Sequence, residues 1–320
     1  MDVCVMIEGQ EDVTWDQWVD LARTCEAQGF QGLFRSDHYL SFDAPGERGA
    51  LDAWTTLAGL AAVTERIRLG TMVSPVTFRH PSVLAKSVVT ADHISNGRVE
   101  LGMGAGWFER EHEAFGFPFP AAGERMDVLA EQVEIVHRLW DRNEEPVTFA
   151  GAHYRLEAVQ ALPYPLQEPH PPLILGGGAG PRAAALAARW ADEYDVVSVD
   201  PDEARKARDR LSESCEAIGR DPASLRLSLM TGVVVGADRS GLERRATSLM
   251  DREGESGDVA RAIEGWRAER LVGTVDEVLD RLTGYAEAGV ERVLMQHLVH
   301  EDLEMLELIG AEIVPAAAEW

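Results

Sequence analysis

Asp37 and His38 sit where an apolar run breaks into charge, in Phe34-Arg35-Ser36-Asp37-His38-Tyr39. A histidine with an unperturbed pKa of about 6.5 can give or take a proton near neutrality, and a neighbouring carboxylate can tune it. His38 is therefore the candidate acid or base, and Asp37 either orients it or binds a ligand. Successive side chains of a strand face opposite ways, so the two can serve one pocket only where the strand gives way to loop. The same residues also read as a surface pair at a strand end. His297, beside Gln296 at the end of another apolar run, is a second candidate facing the same mouth, and reads equally as a helix-cap or surface histidine.

Two glycine-rich segments supply ligand chemistry. In Leu173-Ile174-Leu175-Gly176-Gly177-Gly178-Ala179-Gly180-Pro181 a strand passes through a glycine turn into a helix opened by proline. Backbone amides there can approach a phosphate closely, and the helix terminus adds unpaired N–H groups. The turn also reads as a tight connection without ligand. Leu101-Gly102-Met103-Gly104-Ala105-Gly106-Trp107 ends another strand in the same style. Its glycines would let a flat ring lie against backbone, with Trp107 as a wall, although close packing alone explains them as well. Neither segment has the G-x-G-x-x-G spacing of a dinucleotide site. His112 lies among acids that are more simply solvated than metal-binding. Arg79, Lys86, Arg182 and Arg189 lie near strand mouths, where one or two would neutralise a phosphate.

The elements that must position these residues alternate. Short β-rich runs cover Val3 to Ile7, Gly32 to Arg35, Ile67 to Val73, Val99 to Met103, Leu173 to Leu175, Val196 to Val199, Leu225 to Val235 and Arg292 to Met295, with helical patterns between most of them. The first helix opens on a capping box, Thr14 with Gln17, carries Trp15, Trp18, Val19 and Ala22 on one face, and ends before Gly29. Thr274 with Glu277 repeats the device. Eight parallel strands in one chain favour closure into an α/β fold, a (β/α)8 TIM barrel over residues 1–320 as one domain. Active sites of such barrels lie at the C-terminal ends of the strands. Insertions of about 104–172, holding a helix from about Glu124 to Trp140, a hairpin around Gly151 and the proline-rich run Leu162 to Pro172, and of about 238–272 are expected as loops over that mouth.

Bulk composition narrows the partners. The 320 residues carry 55 acids against 30 bases, a net charge of -25, which argues against nucleic acid or an anionic membrane surface. Cys4, Cys25 and Cys215 are widely spaced and read as buried thiols. No run reaches transmembrane length and the N-terminus lacks a leader pattern, so a cytoplasmic protein is expected, with a small-molecule substrate, no bound metal and a homodimeric state.

Taken together, Ser36-Asp37-His38-Tyr39, Gly70-Thr71-Met72-Val73, Gly102 to Trp107, Glu111-His112-Glu113-Ala114-Phe115-Gly116 and the Gly176 to Gly178 turn resemble the luciferase-like monooxygenase superfamily, and within it the deazaflavin (coenzyme F420)-dependent oxidoreductases. The resemblance implies F420 held at the strand ends, with flavin mononucleotide (FMN) as the alternative cofactor. It implies cofactor contacts from Asp37, Thr71, Met72, Val73, Gly104, Ala105, Gly106 and Trp107, and a phosphate at Gly176, Gly177, Gly178 and Ala179. It implies His38 near the reacting carbon and a non-proline cis peptide at Met72-Val73. The chain departs from the sugar-phosphate dehydrogenases of that branch, which place a glutamate proton donor where Trp107 stands, so their substrate is not carried over. The rival readings are an FMN-dependent monooxygenase and a non-catalytic barrel that binds a phosphate ligand. A metal-dependent barrel hydrolase would want paired histidines on the first strand, which Val3 to Glu8 does not supply.

Overall fold

The structure, a computed structural model, describes residues 1–42, 44, 47–143 and 146–320. Eight parallel strands close on themselves: β1 (Asp2–Ile7), β2 (Gly32–Arg35), β3 (Arg68–Thr71), β4 (Val99–Gly104), β5 (Leu173–Gly176), β6 (Glu193–Val197), β7 (Arg226–Gly236) and β8 (Arg292–Gln296). Each pairs with the next, and β8 pairs back with β1 in the register Cys4 opposite Leu294. This is the TIM barrel expected from the alternation. Its outward residues, such as Val3, Val5, Leu33, Leu69 and Leu101, meet the surrounding helices in one large core.

The inward residues form layers that decide where a ligand can sit. Lowest is a polar layer in which Arg292 Nη1 pairs with Glu100 Oε2 at 2.7 Å and Glu193 Oε2 at 3.0 Å, and Arg68 pairs with Glu100 from the other side. Two guanidiniums outweigh the burial penalty on Glu100 and hold its carboxyl below the usual range. Above it Cys4, Met6, Phe34, Met72, Ile174 and Leu294 pack as a small apolar cluster inside the barrel. The mouth opens above that cluster.

Several sequence expectations are adjusted by packing. Both capping boxes form, at Thr14 with Gln17 and at Thr274 with Glu277. The first helix (Trp15–Ala27) buries Trp18, Leu21, Ala22 and Cys25 rather than a stripe including Trp15. Trp15 is the first helical residue and lies across the next helix, where a Cβ on Gly59 would meet its ring at 2.7 Å. The first insertion carries the expected helix and the hairpin around Gly151, with one further helix before them, and the second, expected as a loop, carries ordered elements instead. Residues 104–172 hold helices Glu109–Phe115 and Ala122–Trp140 and the hairpin Val147–Ala150 with Arg155–Val159. Residues 238–272 hold helices Arg239–Glu253 and Val259–Trp266 and the start of a short strand, Leu271–Thr274, that pairs with the far half of β7. All three cysteines are buried and free. Among the described residues no helix is long and apolar enough to cross a membrane.

Candidate active site

His38 is delivered to the mouth by the alternation of β2 carried past its end. Ser36 N still donates to Ile7 O at 3.1 Å, so the chain stays extended, and Phe34 faces the barrel interior as Ser36 and His38 face the cavity. Asp37 therefore points the other way. Its buried carboxylate takes Arg79 Nη1 on Oδ2 at 2.5 Å and Nη2 on Oδ1 at 3.1 Å, and Ser74 Oγ donates to Oδ2 at 2.7 Å. Arg79 also pairs with Asp52 at 2.6 Å. Asp37 thus lies behind the cavity wall, where it braces the segment through Ser74 and neither orients His38 by a hydrogen bond nor lines the cavity.

The group that orients His38 is Glu111, from the first helix of the 104–172 insertion. His38 Nδ1 lies 2.8 Å from Glu111 Oε2, while Glu111 Oε1 accepts from the backbone N–H of Tyr39 and, at 3.0 Å, from that of Leu40. Those two amides fix the carboxylate, and the carboxylate fixes the ring. Burial works against the imidazolium. The hydrogen bond and charge of Glu111, aided by Glu8 and Asp37, outweigh it, so His38 titrates above its ordinary value. Nε2 has no partner among the described residues and is left to the cavity.

That cavity encloses about 500 Å³, a volume typical of small-ligand sites. Met6, Met72, Val73 and Met230 give it an apolar floor, and Gly104, Ala105, Gly106 and Trp107 one wall. The Met72-Val73 peptide is cis, as the resemblance implied. Glycines make room for this bulge: a Cβ on Gly102 would stand 2.1 Å from Thr71 O, and one on Gly104 2.6 Å from Val73 Cγ2. Thr71 itself is buried behind the bulge, its hydroxyl donating to Gly102 O at 3.0 Å, so it supports the wall without lining it.

At the opposite side Gly176 and Gly177 line the cavity. Gly177 has φ 137°, a conformation open to glycine, and a Cβ on Gly178 or Gly180 would meet nothing within 4 Å. The following helix, Pro181–Trp190, opens on Gly180 without a capping side chain, which leaves its first N–H groups unsatisfied by any cap. Ala179 is turned inward, its N–H donating to Tyr194 Oη at 3.0 Å, and is not available to an anion.

Other candidates are placed elsewhere. His297 faces away from the mouth into a small void beside the helix Arg239–Glu253, with both ring nitrogens unpartnered among the described residues. Burial pushes its pKa down to about 4. His112 lines the cavity edge with its nitrogens committed, at 2.6 Å to Thr77 Oγ1 and 2.7 Å to Phe108 O. Lys86 donates to Ala161 O at 2.9 Å, and Arg182 is paired with Asp127.

Two site residues had no role in the sequence reading. Glu8, at the end of β1, lines the cavity and accepts from Gln10 Nε2 at 2.9 Å and Gln296 Nε2 at 2.5 Å. Asp195 on β6 also lines the cavity, its Oδ1 accepting from Ser228 Oγ at 3.0 Å and its Oδ2 without a hydrogen-bond partner among the described residues. Burial first, and then the charge of Glu193, raise its carboxyl well above the usual range. The signal for both was present: Glu8 stands two residues past inward Met6, and Asp195 alternates with outward Tyr194 and Val196.

A parallel barrel with a ring-sized cavity at its C-terminal mouth, an anion-ready glycine turn and an acid–base histidine defines a class of cofactor-dependent barrel enzymes. The family model for luciferase-like monooxygenases matches residues 3–292, and the chain belongs to that family. Over 319 residues it is 30% identical to an F420-dependent glucose-6-phosphate dehydrogenase of Microbacterium testaceum, covering 94% of this chain and 93% of that one. Among solved structures it resembles monooxygenase RslO1 of Streptomyces bottropensis, with TM-score 0.82 and 25% identity over 98% of this chain and 99% of that one. It shares its fold with an F420-dependent secondary alcohol dehydrogenase, with TM-score 0.82 and 20% identity over 99% and 98% of the two chains.

Proposed function

We propose that this protein is an F420-dependent oxidoreductase that moves a hydride to or from a small organic substrate, with His38 carrying the accompanying proton. The observation that carries the reading is the His38–Glu111 pair on the cavity wall, with Nε2 directed at the space where a substrate would meet a bound ring. The residues present fit the cofactor. The methionine and valine floor suits a flat ring, and the uncapped helix terminus after Gly176, Gly177 and Gly178 suits its phosphate.

When bound, F420 supplies a ring carbon that accepts or gives a hydride. The chain does the rest. Met6, Met72, Val73 and Met230 exclude water from the ring face, and Gly104 to Gly106 let backbone approach it. Glu111 holds the proton of His38 on Nδ1, so that Nε2 is free to take a hydroxyl proton from an alcohol; in the reverse direction the imidazolium returns it to the forming alkoxide. The raised pKa of His38 makes Nε2 a stronger base than a free imidazole.

Fluorescence titration of the purified protein with F420 and, in parallel, with FMN tests the reading. Binding of F420 is expected, with His38→Ala keeping that affinity and losing a factor of about 10²–10⁴ in turnover. Tight binding of FMN with none of F420 would refute it.

A further inference from the structure

The walls around His38 that the hydride-transfer reading leaves unused are aromatic and carry no positive charge. Trp107 is 63% exposed, an unusual state for its size, and stands on the cavity wall. Its ring stacks on Phe108 at 5.3 Å between centroids and lies 5.1 Å from Phe42 and 5.8 Å from His38. An exposed indole braced from behind by other rings, at the edge of a cavity, offers a face to a flat apolar group.

Charge narrows the occupant further. Among the described residues no lysine or arginine lines the cavity, whereas Glu8, Glu111 and Asp195 do. Arg79, the nearby guanidinium, is committed to Asp37 and Asp52 behind the wall. A phosphorylated or carboxylated substrate would meet carboxylates and no counter-charge. A cation fares no better, because Glu8 is already held by Gln10 and Gln296, and Glu111 by His38 and two backbone amides.

We propose that the substrate is an uncharged alcohol, or the carbonyl compound it forms, carrying an aromatic body that seats against Trp107 while its oxygen reaches His38 Nε2. The assignment of the oxygen to His38 rests on the hydride-transfer reading; the apolar seat does not. In the oxidative direction the alcohol carbon loses its C–H electron pair as hydride to the oxidised cofactor. Its O–H proton goes to His38, and the C–O bond becomes a carbonyl, so two electrons leave the substrate and enter F420.

The test is equilibrium binding of acetophenone to the protein without cofactor, followed by calorimetry or saturation-transfer NMR, with glucose 6-phosphate as the anionic competitor. Trp107→Ala is expected to weaken acetophenone at least tenfold, Trp107→Phe to keep it within about threefold, and the phosphate ester not to compete. F420 affinity is titrated separately in the wild-type protein. Unchanged acetophenone binding in Trp107→Ala or effective competition by glucose 6-phosphate would each overturn the proposal. Acetophenone bound at Trp107 in a protein that does not take F420 would refute the function reading and leave the apolar seat standing.

Discussion

Replacing Glu111 with Gln separates a histidine that is merely present from one that is set to act. Gln keeps the shape, and its Oε1 can still accept from the amides of Tyr39 and Leu40. Its NH2 then faces His38 Nδ1 at the 2.8 Å contact and donates where the carboxylate accepted. That reverses the tautomer: the imidazole proton moves to Nε2, and the cavity-facing nitrogen becomes a donor. A charge-assisted hydrogen bond of about 1.5–3 kcal/mol is lost, which lowers the His38 pKa by about 1–2. Alcohol oxidation needs Nε2 unprotonated, so in the wild-type protein its rate rises with pH through a value above 6.5. In Glu111→Gln that limb is expected to move toward acid and the plateau to drop by a factor on the order of 10³, the scale of a wrong-tautomer defect. Single-turnover bleaching of F420 across pH reads the rate. The His38 ring proton shift in NMR reads the pKa without cofactor or substrate. An unchanged His38 titration in Glu111→Gln would refute the coupling.

Three further outcomes follow from the wall and the core. Arg79→Met strands the buried Asp37 carboxylate and is expected to cost about 3–5 kcal/mol by urea unfolding, with Arg79→Met/Asp37→Asn recovering much of it. Gly104→Ala places a methyl 2.6 Å from Val73 Cγ2 and pushes that side chain toward the cavity, so F420 affinity should fall at least tenfold while stability falls by about 1–3 kcal/mol. His297, lowered from 6.5 to about 4, contributes stability that is present above its unfolded pKa and is lost as pH falls through the window between the two values. From pH 7 to 4.5 that loss is about 2 kcal/mol, and His297→Leu should lose correspondingly less in the same denaturant series.

Much of this site was legible in the residues because β-structure repeats every two positions. The strand ends, the glycines beside the bulge and the anion-ready turn announced themselves through composition and order. The pairing of His38 was not legible, because its partner lies 73 positions away on an insertion helix and nothing local ties the two. Adjacency in sequence pointed to Asp37, and the same alternation that brings His38 inward sends Asp37 outward. The inward acids Glu193 and Asp195 were passed over for a different reason. Charge inside a barrel runs against the usual apolar expectation, so β6 was read as beginning at Val196 when it begins at Glu193. The guanidinium of Arg292, from a strand far along the chain, helps make the lower acid tolerable.

The polar layer of Arg68, Glu100, Glu193 and Arg292, topped by packed Cys4, Phe34, Ile174 and Leu294, stoppers the barrel from below. A cavity above such a stopper is a dead end with a single doorway, and traffic through it acquires an order. A flat ring bedded on the methionine floor must arrive before the molecule that covers it and depart after that molecule has gone. Productive turnover should accordingly run in one order, F420 first, with its two redox forms competing for the empty barrel and a substrate that seats before the ring forming a dead-end complex, seen as substrate inhibition competitive with F420.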